Sequence, residues 1–221
     1  EYDQIVSLGE VISTTIVSSF LTSKKVRNEW MDARELVATN DKWREAKIDW
    51  DNSCSKIQKN AKDSFADNQR ILISQGFIGH TTEGFTTTLG REGSDFSASI
   101  FAYALDAKDV TIWKDVPGML NADPKWFDNT VLIEKISFRE AIELAYFGAQ
   151  VLHPIAMQPA LNANIPVRVK NSYNPIAPGS LIDNVGNPQR MVTAITCKRN
   201  ITLMDITSLQ MLGAYGFLGA V

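Results

Sequence analysis

Three short stretches of this 221-residue chain carry side chains whose types and spacing suit the handling of small anions. The first is Gly90-Arg91-Glu92-Gly93-Ser94-Asp95, which runs into a helical pattern of Ile100, Phe101, Ala104 and Leu105. Free amides at a helix start can receive a carboxylate or phosphate, and the Arg91 guanidinium adds a planar donor fork. Ser94 is expected to cap that helix, leaving Asp95 in its first turn. A glycine turn before a capped helix accounts for the same residues, so the segment alone leaves binding and structure both open. The second is Glu10, in Leu8-Gly9-Glu10, a carboxylate able to hold an ammonium group and equally at home on any surface. The third is Lys114-Asp115-Val116-Pro117-Gly118, which follows the strand candidate Val110, Ile112 and Trp113. Open α/β sheets place their ligand loops at such carboxyl ends.

The elements that must position these residues can be read from hydrophobic spacing. Ile5, Leu8, Ile12, Ile16 and Phe20 recur every three or four residues, which predicts a helix with one apolar face able to pack on a sheet. A short strand near Trp30 and Met31 comes next, then an irregular crossing around Thr39 to Asp41. A surface helix is expected from Ser53 to Asn68, with Lys56, Lys59 and Lys62 on its solvated face. Ile71, Leu72 and Ile73 begin a buried strand ending near Gly76 and Phe77. A polar turn from His80 to Gly84 leads back through Phe85 to Leu89. Ser137 and Glu140 have capping-box spacing, Gly148 can end that helix, and Pro154 suits the start of the next. Pro166 to Lys170 reads as a strand. Pro175, Pro178, Gly179, Gly186 and Pro188 make a loop or linker. Strands are expected at Val192 to Thr196 and Ile201 to Ile206, and a helix from about Ser208.

Composition excludes little but points consistently. With 44% hydrophobic and 21% charged residues and a net charge of -3, the chain is ordinary globular protein with no concentrated basic face for a nucleic acid. Cys54 and Cys197 are too isolated for a C-x-x-C site and read as free thiols in a reducing compartment. His80 and His153 have no companions at metal-ligand spacing, so no zinc or other protein metal site is expected. Uninterrupted apolar runs fall short of the roughly 20 residues that cross a bilayer, and no secretory pattern opens the chain; a cytoplasmic, membrane-free protein is expected.

Several segments together resemble the aspartokinase family of the amino acid kinase superfamily. They are Gly76-Phe77-Ile78-Gly79, Thr86 to Asp95, Trp113 to Gly118, Ala122-Asp123-Pro124, and Tyr146-Phe147-Gly148-Ala149-Gln150-Val151-Leu152-His153-Pro154, in that order. The resemblance implies a three-layer α/β/α sandwich of the carbamate kinase-like type over residues 1–175. A linker at 176–190 and the start of an ACT-like α+β regulatory unit at 191–221 would follow. It implies transfer of phosphate from ATP, with magnesium, to the side-chain carboxylate of L-aspartate. An amino-acid effector in the regulatory part and a homodimer are implied as well.

By the same resemblance Glu10 would hold the ammonium of aspartate, Arg91 its carboxylate, and Gly93 and Ser94 would add close contacts. Asp95 would organise the reacting centre with Arg91. It has little proton transfer to perform, because the attacking carboxylate is already ionised at neutral pH. The nucleotide would be met by Lys114, Asp115, Leu120, Lys125, Gln150 and Val151. Here the chain departs from the family, which has Thr, Tyr, Arg and Lys where Lys114, Leu120, Lys125 and Gln150 stand. It also shows no Lys-Phe-Gly-Gly-Thr-Ser type loop before Glu10, so this stretch by itself is expected to be inactive or very weak. Two alternatives stay open: a paralogue that binds the amino acid but transfers phosphate poorly, and a kinase of another small acidic amino acid.

Overall fold

The computed structural model describes residues 1–65, 71–148, 151–197 and 202. Helix α1 (Tyr2–Ser23) is followed by β1 (Asn28–Met31), the single turn α2 (Ala33–Leu36) and α3 (Trp50–Phe65). Next come β2 (Ile71–Ser74), the hairpin β3 (Ile78–His80) and β4 (Thr86–Thr88), α4 (Gly93–Ala104) and β5 (Val110–Lys114). The last elements are β6 (Lys135–Ser137), α5 (Phe138–Phe147), α6 (Pro154–Asn162), β7 (Val167–Asn171) and β8 (Ser180–Asp183).

The chain is the α/β protein its spacing predicts. β1 and β2 pair in parallel and β3 and β4 form an antiparallel hairpin. A mixed sheet runs β5-β7-β8-β6, parallel except between β7 and β8. Ile112, Ile136, Phe138, Val167, Val169 and Ile182 build one apolar core around that sheet. Ala33, Leu36, Val37, Ile57 and Ile78 build a second among α2, α3 and the hairpin. Helix α4 gives Ala102 to the first core and Ile100 and Ala104 to the second. Its first turn, which carries Asp95, is thus held relative to both halves.

The capping box at Ser137 and Glu140 forms as expected, Gly148 ends α5, and Pro154 opens α6 with His153 as its N-cap. Other expectations need correcting. The stripe of Ile5, Leu8, Ile12, Ile16 and Phe20 does share one face of α1, but that face is exposed, from 50% at Leu8 to 69% at Ile5. The helix docks by its polar side, where Asp3 and Ser7 are buried and Gln4 Nε2 donates to the Thr86 carbonyl at 2.7 Å. Helical spacing tells which side chains share a face and not which face meets a neighbour. With 22 residues, α1 is also long and apolar enough to cross a bilayer, contrary to the run-based reading, though these polar contacts tie it to the domain.

Glu92, not Ser94, is the N-cap of α4, so the helix starts at Gly93 and Ser94 lies inside its first turn. The stretch read as a linker contains β8, which pairs with both β6 and β7. β3 and β6 are strands that spacing did not single out, because three residues are too few to show alternation. Val192 to Thr196 is not a strand: Thr193 Oγ1 donates to Glu140, the Ile195 amide to Asn121 O at 2.8 Å, and Thr196 Oγ1 to Phe147 O at 3.1 Å. Its polar groups are satisfied on α5 and the 120s loop, so it lies along them as irregular chain. The expected strand at Ile201 to Ile206 and the helix from Ser208 fall on residues outside those described.

Candidate active site

Two cavities flank the start of α4. The larger, of about 670 Å³, lies among α1, β2, α3 and α4. Its polar wall combines Glu10 and Thr14 with Ser74, Gln75, Gly76, Ser94 and Ser97; Leu36, Ile57, Leu72 and Phe101 supply apolar wall. The approach of β2 to α4 depends on Gly76, since a Cβ there would lie 2.8 Å from Ser94 Cα. Gly93 plays the matching part on the helix, where a Cβ would meet Phe77 Cδ2 at 2.6 Å. Ser97 locks the junction: its Oγ accepts from the Phe77 amide and donates to the Gly93 carbonyl, both at 2.9 Å. Gln75 ties α1 and α2 to this wall, accepting from the Ala33 amide at 2.7 Å and donating to Thr14 Oγ1 at 2.8 Å.

Glu10 faces this cavity with no cation paired to it among the described residues. Burial raises its pKa above that of an ordinary glutamate, because the charged form loses water that nothing replaces. A carboxylate in this state is a receptor for an ammonium group. Ser94 lines the same cavity and Gly93 is buried just behind it. Arg91 is not brought to this wall; it stands exposed on the turn between β4 and α4.

Asp95 and Glu92 share the ammonium of Lys114, the last residue of β5. Lys114 Nζ lies 2.6 Å from Asp95 Oδ2 and 3.2 Å from Glu92 Oε2. The Asp95 contact is the closer of the two and pairs opposite charges. Burial, helped by the neighbouring Glu92 carboxylate, raises the pKa of Asp95 despite the attraction of Lys114. Burial opposes the charge on Lys114 too, but the two carboxylates outweigh it and lift its pKa, so it stays an ammonium.

The second cavity, of about 360 Å³, sits at the carboxyl end of β5. Lys114, Asp115, Leu120, Lys125 and Val151, five residues singled out from sequence, all line it. Gln150, the sixth, lies outside the described residues. Val116, Ala122 and Leu144 make the wall apolar enough for a flat heterocycle, while Lys114 and Lys125 bring positive charge. Ile195, Thr196 and Cys197 close one side, a contribution with no sequence signal because it depends on where an irregular segment lies. No cluster of three or more metal-binding side chains occurs among the described residues. His153 serves as a helix cap, and His80, in the hairpin, has its Nε2 2.8 Å from Lys56 Nζ, away from both cavities.

A model of the amino acid kinase family matches residues 1–171. The chain is 41% identical over 222 residues to aspartokinase 3, chloroplastic, of Arabidopsis thaliana, covering 99% of this chain and 40% of that one. It is 40% identical to the lysine-sensitive aspartokinase 3 of Escherichia coli, covering 99% and 48%. Among solved structures, E. coli aspartokinase III in complex with aspartate and ADP superimposes with a TM-score of 0.81 and 39% identity, over 87% of this chain and 42% of that one. The chain thus spans less than half the length of these relatives.

Proposed function

Since the chain belongs to the amino acid kinase family, we propose that the protein is an aspartate kinase. It would transfer the terminal phosphoryl group of ATP to the side-chain carboxylate of L-aspartate, giving 4-phospho-L-aspartate, the first step toward lysine, threonine and methionine. The observation that carries this reading is the Asp95–Lys114 contact of 2.6 Å. Ser94, beside Asp95, lines the cavity that holds Glu10, whereas Lys114 lines the cavity at the end of β5. An amino acid in the first and a nucleotide in the second would therefore meet at this pair.

Glu10 would receive the ammonium of aspartate in the larger cavity, and Ser94 with the amides beside Gly93 would take a carboxylate. Arg91, free on its turn, would swing in as a second anchor. The attacking carboxylate needs no base, so the work left to the protein is alignment and neutralisation of charge on the transferring oxygens. Lys114 supplies a cation for that. Magnesium fits as an ion carried on the phosphates, which needs only one or two carboxylates from the protein; Asp115 at the cavity edge is available. The ion would neutralise phosphate charge.

The phosphate-gripping loop of the family, of the Lys-Phe-Gly-Gly-Thr-Ser type, does not occur in these 221 residues. We therefore expect the 221-residue stretch to be inactive or very weak alone. An amino-acid effector bound in an ACT-like unit beginning near residue 191, a homodimer, and a cytoplasmic location complete the proposal.

A second reading, a paralogue that binds aspartate without transferring phosphate, is favoured by one fact: Asp95 and Lys114 already neutralise each other. Aspartyl phosphate trapped as its hydroxamate decides between them. The full-length protein should turn over aspartate with ATP, discriminate against glutamate, and lose activity when reduced to these 221 residues. Aspartate binding with no turnover would establish the paralogue, and equal turnover by the short chain would overturn the need for the added loop.

A further inference from the structure

Glu92 has the left-handed backbone conformation, with φ 54° and ψ 30°, at the N-cap of α4. That conformation strains a residue with a Cβ by an amount glycine would avoid, and glycine is the residue a turn of this kind favours. A strained residue that persists invites the question of what its side chain does. Here the side chain reaches Lys114, Oε2 to Nζ at 3.2 Å, and lies beside the Asp95 carboxylate.

We propose that Glu92 is a positioning residue that tethers Lys114 and thereby sets how tightly the cavity at the end of β5 takes a polyphosphate. The inference rests on the nucleotide-binding role proposed for that cavity. Two lysines line it: Lys125, which is exposed on its loop, and Lys114, half-buried in the wall. The Lys114 ammonium is shared between two carboxylates, so the trio carries a net charge of about -1. An arriving polyphosphate must draw Lys114 away from them. The longer contact, to Glu92, is the easier to give up. The Asp95 contact is shorter and more shielded, with side-chain exposures of 12% for Asp95 and 32% for Glu92. Glu92 therefore acts as a brake on Lys114, and its charge is felt strongly because the trio is only partly wetted.

The test is calorimetric binding of tripolyphosphate and of Mg-ATP to the full-length protein, to Glu92→Gln, to Lys114→Met and to the double variant. Urea unfolding checks that each is folded. Glu92→Gln should tighten tripolyphosphate by about fivefold at low salt, with the gain shrinking as salt rises. In the Lys114→Met background the same change should gain less than about twofold. A purely structural ion pair would move the unfolding midpoint and leave this coupling at zero. Equal gains with and without Lys114 would reduce Glu92 to a diffuse negative charge and overturn the tether. Binding unaffected by Glu92→Gln would also overturn it while leaving the nucleotide cavity in place. Failure of the unaltered protein to bind either probe would overturn the tether and the proposed function together.

Discussion

Asp3 is the perturbation that most directly tests how the site is assembled. It is 2% exposed, and its Oδ2 accepts three hydrogen bonds: from the Thr88 amide at 2.9 Å, the Arg44 amide at 3.0 Å and Thr88 Oγ1 at 3.2 Å. These bonds fasten α1, which carries Glu10, to the end of β4, from which the chain runs into the Gly90 to Asp95 turn. Asp3→Ala leaves the buried Thr88 amide with no acceptor, at about 1–3 kcal/mol, and frees Thr88 Oγ1 and the Arg44 amide. The Arg44 amide is only partly buried and can turn to water. The expected total is about 3 kcal/mol. Asp3→Asn keeps an acceptor oxygen and loses only charge assistance, so about 1 kcal/mol is expected. Urea unfolding at neutral pH, extrapolated linearly, measures both. Aspartate binding should weaken in parallel, because the distance from Glu10 to Ser94 depends on this anchor. If Asp3→Ala unfolded within about 0.5 kcal/mol of the unaltered chain, or if the two variants were equal, the account of a buried charged clasp would be wrong.

Gly76→Ala should cost about 2 kcal/mol and weaken aspartate binding, since the new Cβ would sit 2.8 Å from Ser94 Cα and force β2 from α4; unfolding and calorimetry report it. Because the pKa of Glu10 is raised, its negative charge is complete only above that raised value. Aspartate affinity should therefore fall as pH drops through it, at a pH above the ordinary glutamate range, and Glu10→Gln should abolish that dependence along with most of the affinity. At Glu140 burial is outweighed by bonds from Ser137 and Thr193, which lower its pKa. Its stabilising contribution is therefore full above the unfolded value and lost as pH falls through the lowered one. Ser137→Ala should cost about 1 kcal/mol at neutral pH and less in acid, as unfolding midpoints across that range would record.

Local chemistry explains why parts of the molecule were legible in the residues alone. The Ser137–Glu140 box, Gly148 after α5 and Pro154 at the start of α6 act within one helical turn, so spacing suffices to find them. Val110, Ile112, Val167 and Val169 alternate with less buried residues because successive side chains of a strand point to opposite faces and one face packs on the core. Lys114, Asp115, Leu120, Lys125 and Val151 could be grouped into one cavity because the order of several motifs, rather than any single loop, carried the resemblance. Only the folded chain decided the rest, and each case involves a partner distant in sequence. Which side of α1 docks depended on β4, 85 residues from Asp3, where buried amides offered bonds an apolar stripe could not make. Residues 180–183 became a strand because β6 and β7 left edges to pair with. Lys114 met Asp95 and Glu92 because β5 and α4 lie side by side, and a charge contact between elements has no period in the sequence that would announce it.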